Sequence, residues 1–257
     1  MRDPHALNPR PTSGTSAQAD RAHATPTALL LEVALILALG VLADALFMVV
    51  AAIVISGFAA FRARRRSAGA VDINAWVDGF GQGVYRRFEG WGLTRKPQAS
   101  DLWVAAIGVL AALAFGWIYE VVFPDPSTVD STTASRAGAV SGHDGLLSQV
   151  LLLVVVLVFV PVVEEVAWRG HVLAGLHEVL GRYGLSPKVS ATLALLVSSA
   201  CFGLAHTQYN LHDQVGIAVS GAIYGLVFLK TRSVLAAALT HAAWNGWWVL
   251  AVLLSAS

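Results

Sequence analysis

The sequence predicts an all-α fold, a polytopic transmembrane bundle of about six helices. Three observations carry that expectation. Hydrophobic residues make up 56% of the 257 positions and charged residues only 13%, against roughly 45–50% and 25% in soluble domains. The apolar residues gather into runs long enough to cross a hydrocarbon core of about 30 Å. The basic residues gather in alternate connections between those runs, as the positive-inside rule requires of a multi-pass chain.

The elements follow in order. Residues 1–27 are polar, with Pro4, Pro9, Pro11 and Pro26 among Ser, Thr and Ala, and read as a disordered tail. Residues 28–61 form an N-terminal anchor helix. Within it, Leu29 to Phe61 is apolar apart from Glu32 and Asp44. Two spans would each be too short there, so a single long, tilted helix is expected. A signal peptide would carry its apolar core much nearer Met1, with a cleavage site after it, so the anchor should remain uncleaved.

Residues 62–101 are a basic linker, opened by Arg62, Arg64, Arg65 and Arg66 and continued by Arg86, Arg87, Arg95 and Lys96. Ala75 to Phe88, with Trp76, Phe80 and Tyr85, reads as an interfacial amphipathic segment. Residues 102–257 hold the core. Its expected spans are Leu102–Phe123, Leu146–Ala167, Val189–Ala205, Val215–Leu229 and Val234–Leu254. Gly170–Gly184 is expected as an interfacial helix, and the polar stretch Pro124 to Asp144 as a loop.

The arginine cluster places the 62–101 loop in the cytoplasm. Arg169, Arg182 and Lys188, then Lys230 and Arg232, return to that side, whereas Asp125, Asp130 and Asp144 fit the outside. The expectation is a multi-pass protein of the plasma membrane. No basic stretch with interleaved aromatics points to nucleic acid. The partner that this composition implies is the lipid bilayer. The single cysteine, Cys201, excludes an intrachain disulfide and any CxxC metal site, and reads as a small packing residue.

The chemistry concentrates in Glu164-Glu165-Val166-Ala167-Trp168-Arg169, which follows a run from Leu151 to Val163 without an ionisable group. Charge at membrane depth is expensive and marks function. Adjacent helical residues point about 100° apart, so the two glutamates take different roles. Glu165 and Arg169 have the i,i+4 spacing of an ion pair, which leaves Glu164 to face a polar cavity and accept a proton from water. Two later spans supply Phe202 with His206, and His241 with Asn245, each pair one helical turn apart. Polar groups that deep are costly unless partnered. Glu164, His206, His241 and Asn245 suffice for hydrolysis: a carboxylate and an imidazole activate water, and the other imidazole and the amide stabilise the oxyanion. Glu164, His206 and His241 are also a ligand set for a divalent metal such as zinc, although no HExxH motif supports it.

One difficulty accompanies this site. Glu164 falls near the cytoplasmic end of its expected span and His206 near the far end of the next. A common site would need a broken, tilted or deeply entering helix between Trp168 and His206, with Pro187, Gly170, Gly175, Gly181 and Gly184 as the permissive residues.

EExxxR, FxxxH and HxxxN, in that order on successive spans, resemble the CAAX-processing and bacteriocin-processing (CPBP, or Abi) intramembrane proteases. Pro161 before the acidic pair, Arg169-Gly170 after it, and Trp91-Gly92-Leu93 ahead of the second span extend the resemblance over roughly residues 90 to 252. Trp168, where the family often has Phe, is a mild departure. The resemblance implies an endopeptidase of the CAAX prenyl protease 2 type. It makes Glu164 the water-activating carboxylate with His206, and puts His241 and Asn245 at oxyanion or metal-binding positions. Glu165 and Arg169 become a supporting pair, with Phe202 beside them.

Two alternatives stand against it. A non-catalytic scaffold or bacteriocin-immunity-type protein would keep the same fold without turnover. A rhomboid-like serine protease would use Ser220, in Val219-Ser220-Gly221-Ala222-Ile223-Tyr224-Gly225, with His241 as base. Rhomboid order would put an HxxxN motif before the serine, whereas here it follows. Ser220, Gly221 and Gly225 also suit close helix packing. His171, His177 and His212 lie near expected boundaries and should be solvated, and Trp244, Trp247 and Trp248 should pack or anchor at the interface.

Overall fold

The computed structural model describes residues 98–124 and 153–255, together with positions 27, 30, 31, 34, 88, 89, 92, 93 and 150. The polar tail, the anchor expected over 28–61 beyond those few positions, and most of the 62–101 linker with its interfacial segment lie outside the described residues. So does most of the loop after Pro124.

Among the described residues every regular element is helical. Helix α1 spans Ala99–Val122. A π-helical stretch, Val155–Phe159, leads into α2 (Val160–Glu165); a second, Val166–Leu173, leads into α3 (Ala174–Arg182). Then come α4 (Pro187–Leu204), α5 (Leu211–Thr231) and α6 (Val234–Ser255). Three of them, α1, α4 and α5, are long and apolar enough to cross a membrane. The expected count of six spans is not reached among the described residues.

Local chemistry sets the boundaries. Gln98 and Asp101 form a capping box at the start of α1. Ser186 caps α4, with Pro187 at the first helical position, where its missing N–H costs nothing. The Asn210 side chain accepts from Asp213 N at 2.9 Å to open α5. Arg232 closes α5 in the left-handed region (φ 54°) and donates its N–H to Phe228 O at 2.6 Å.

The main correction concerns residues 153–182, which are one uninterrupted helical run. No boundary separates the expected span ending at Ala167 from the expected interfacial helix of Gly170–Gly184. Arg169 and His171, whose polarity argued for a helix end at the headgroups, are instead buried at 1% and 4% exposure. A charge neutralised inside the protein needs no water and so does not stop a helix. The run then turns at Tyr183–Ser186, and α4 packs back along α3 and the π-helical 166–173 stretch. This hairpin removes the depth difficulty without a break. Glu164 lies about 18 residues before the end of α3, and His206 a similar number after the start of α4. Each is therefore about 27 Å from the turn, at about 1.5 Å per residue.

Packing elsewhere uses small residues. The buried positions of α1 are Asp101, Ala105, Gly108, Ala112 and Gly116, one stripe facing α5 and α6. A Cβ on Gly108 would meet Val227 Cγ2 at 2.6 Å, and one on Gly116 would run into the Trp244 ring. The opposite face of α1 is apolar and open, with Trp103 and Trp117 exposed, as a lipid-facing helix requires. His177 bonds Ser190 Oγ at 2.9 Å. Burial, then nearby Arg232, hold its pKa below the ordinary value against the opposing pull of Glu178. His212 donates through Nε2 to Phe123 O at 2.6 Å, joining α5 to the end of α1. His171 is buried rather than solvated as expected, whereas His177 and His212 are partly exposed as well as hydrogen-bonded.

Candidate functional site

Arg169 anchors the site from behind. Its Nε lies 3.0 Å from Glu165 Oε2, the i,i+4 pair that the spacing predicts, and both side chains are buried. Its Nη2 donates to Gly221 O at 2.7 Å. The guanidinium lies over the Phe202 ring at 4.4 Å and near the Tyr224 ring at 5.5 Å. Gly221 is required here, because a Cβ would stand 2.9 Å from Arg169 Nη2 and 2.7 Å from Phe202 Cδ1. Ser198 on α4 donates to Trp168 O at 3.0 Å and ties the π-helical stretch to the hairpin.

Glu165 has a second duty. Its Oε1 lies 3.0 Å from His241 Nδ1. A carboxylate paired with arginine accepts, so Nδ1 carries the hydrogen and Nε2 of neutral His241 presents its lone pair. His206 is set the same way. Its Nδ1 lies 2.7 Å from Phe202 O, and a carbonyl can only accept, so Nε2 again presents the lone pair. Gln214 Nε2 braces the loop that carries this histidine, donating to Tyr209 O at 2.9 Å and to His206 O at 3.4 Å. Phe202 fills the space between, with its ring edge-on to His206 and His241. Tyr224 stacks on His241 at 4.7 Å with an interplanar angle of 14°.

Glu164 is where these arrangements converge. Its carboxylate is 18% exposed, with Oε1 4.0 Å from His206 Nε2 and Oε2 3.8 Å from His241 Nε2. Three acceptors thus face one another with no donor among them. These separations are too long for direct hydrogen bonds and suit a bridging water or a cation. The donor chemistry fits a Glu-His-His metal set, with each imidazole oriented by a second partner as metal-ligating histidines are. Among the described residues, no group of three His, Cys, Asp or Glu closes to metal-holding geometry.

The structure therefore brings Glu164, Glu165, Arg169, Phe202, His206 and His241 into one cluster. Asn245 sits differently. One turn beyond His241 on α6, it donates Nδ2 to Val156 O at 3.2 Å, in the first π-helical stretch. No hydrogen bond joins Ser220 to His241 among the described residues; both His241 nitrogens face glutamates, and Ser220 is buried at 2% exposure. A serine nucleophile needs its base within hydrogen-bond reach. Sequence reasoning overlooked Tyr224 and the Gly221 carbonyl. A tyrosine in the middle of an apolar helix was a usable signal; a backbone carbonyl gives none.

No curated protein and no solved structure matches the chain. Residues 146–247 match the family model described as Type II CAAX prenyl endopeptidase Rce1-like. Three membrane-length helices and that match make this an integral membrane protein. Over residues 146–247 the chain is therefore similar to the Rce1-like CAAX protease family, in agreement with its three motifs.

Proposed function

We propose that the protein is an intramembrane endopeptidase in which Glu164 and His206 activate water. The observation that carries this reading is the convergence of the Glu164 carboxylate with two imidazole Nε2 atoms at 3.8–4.0 Å. A water between them donates one hydrogen to Glu164 and the other to His206 Nε2. Glu164 takes the proton as the water oxygen bonds to the scissile carbonyl carbon, and the carbonyl electron pair moves onto its oxygen. His241, held through Nδ1 by Glu165, donates to that oxyanion from Nε2 once it has taken up a second proton there from solvent. Collapse re-forms the carbonyl and breaks the C–N bond, and the leaving amine takes the proton from Glu164. Both products leave with the atoms of one water added.

A divalent cation such as zinc would be held by Glu164, His206 and His241, where it would polarise the carbonyl as a Lewis acid. The family description points to prenylated C-terminal peptides, so the proposed substrate class is a membrane-anchored peptide or protein. The proposed setting is the plasma membrane, with the 62–101 loop cytoplasmic.

Glu164→Gln tests the mechanism, with Ser220→Ala as its partner. Purified Glu164→Gln should lose peptide hydrolysis while keeping the unfolding temperature of the parent protein. Ser220→Ala should retain activity within about threefold, because removing one hydroxyl away from the reacting atoms changes no transition-state contact. Hydrolysis by Glu164→Gln would end the proposal, and a dead Ser220→Ala would move it to the serine route. Chelation followed by re-addition of single metals separates the cation-assisted version from direct carboxylate catalysis. A folded, inert parent protein would favour the scaffold reading.

A further inference from the structure

Asn245 is a motif residue whose hydrogen bond leads outside the Glu164 cluster, to Val156 O, and that partner explains why. In a π-helical turn each carbonyl accepts from the N–H five residues on. Val160 N–H donates to Val155 O in that register. The next carbonyl, Val156 O, should then accept from residue 161, which is Pro161 and has no N–H. The α-helical partner of Val156 would have been Val160 N–H, already given to Val155. Val156 lies in the apolar run before the acidic pair, where an unsatisfied carbonyl has no water to turn to. Asn245 Nδ2 occupies that place at 3.2 Å.

The consequence reaches Glu164. One turn of α6 grips the neighbouring helix at two points, Asn245 on Val156 O and His241 on Glu165 Oε1. Glu164 lies between them, three residues after the proline. We propose that Asn245 is a positioning residue. Its amide completes the hydrogen bond that Pro161 denies Val156, and so fixes the pitch of the segment that presents Glu164. This deepens the endopeptidase reading and rests on it for its kinetic half only.

The hypothesis makes Asn245 and Pro161 interdependent, because alanine at 161 restores an N–H to the helix ladder. The test compares the full chain with Asn245→Ala, Pro161→Ala and the double variant, in detergent micelles. Asn245→Ala alone should lower kcat about 100-fold with KM little changed, whereas in the Pro161→Ala background the same substitution should cost less than about tenfold. Thermal unfolding should show the same coupling: Asn245→Ala lowers Tm by about 4 °C or more with Pro161 present, and by less than half of that without it. Asn245→Asp, equal in shape but lacking the N–H, should track alanine. Should Asn245→Ala fail to fold, folding of the double variant is the expected rescue, and failure of both is the contrary result. Equal losses in the two backgrounds, in either measurement, overturn the proposal and return Asn245 to a direct role at the oxyanion. Should the parent protein lack peptidase activity, the proposed function falls while the unfolding measurement still decides the hydrogen bond.

Discussion

Arg169 is held by an ion pair to Glu165, a hydrogen bond to Gly221 O and the face of Phe202, at 1% exposure. Truncating one member of a buried ion pair strands the other, at a cost of about 3–5 kcal/mol. Arg169→Ala should therefore lower thermal stability by that order and disturb His241 through Glu165. Replacing the pair together, as Glu165→Gln with Arg169→Met, should cost markedly less in the same unfolding measurement, because no bare charge is left behind. The pairing itself was legible in the sequence, since i,i+4 spacing on a helix leaves little choice. The other contacts of Arg169 were not. They depend on which face of α5 meets the hairpin, and residues 52 apart in the chain carry no local signal of each other.

At the scale of the element, the two π-helical stretches and the long run through 153–182 are the features that local rules missed. Propensity and charge placement end a helix where polar groups want water. Here Arg169 and His171 are enclosed by α4 and α5, so the helix continues and the turn falls at Tyr183–Ser186. The equal distance of Glu164 and His206 from that turn brings them together. Packing between elements rests on single glycines, and Gly116 gives a direct test. A leucine there meets the Trp244 ring, which lies against the glycine. Gly116→Leu should push α1 from α6 and destabilise the bundle by about 1–3 kcal/mol, the usual cost of overpacking. Thermal unfolding of the purified variant checks it, and an unchanged midpoint would mean that α1 moves freely on α6.

For the whole molecule, the hairpin geometry puts the Tyr183–Ser186 turn and the α5–α6 turn at one end of the bundle, consistent with the effect of Arg232 on His177. Arg182, Lys188, Lys230 and Arg232 gather there, and the proposal that this end faces the cytoplasm rests on the positive-inside rule. With Cys201 replaced by alanine, single cysteines at Ser186 and Arg232 should react with an impermeant thiol reagent only after the cytoplasmic face is opened. Labelling of the two positions from opposite sides would refute the antiparallel arrangement of α4 and α5.

The sequence alone determined the all-helical membrane class and pointed to residues that the fold gathers around Glu164. Composition and apolar run length are sums over the chain, and EExxxR, FxxxH and HxxxN are short enough to read locally. Tertiary structure decided what those residues do to one another. It turned Nε2 of His206 and His241 toward Glu164 by occupying each Nδ1, and it sent Asn245 to the carbonyl that Pro161 leaves open. The reason is physical: a hydrogen bond's direction and a side chain's burial belong to pairs of distant residues, and only packing brings such pairs into contact.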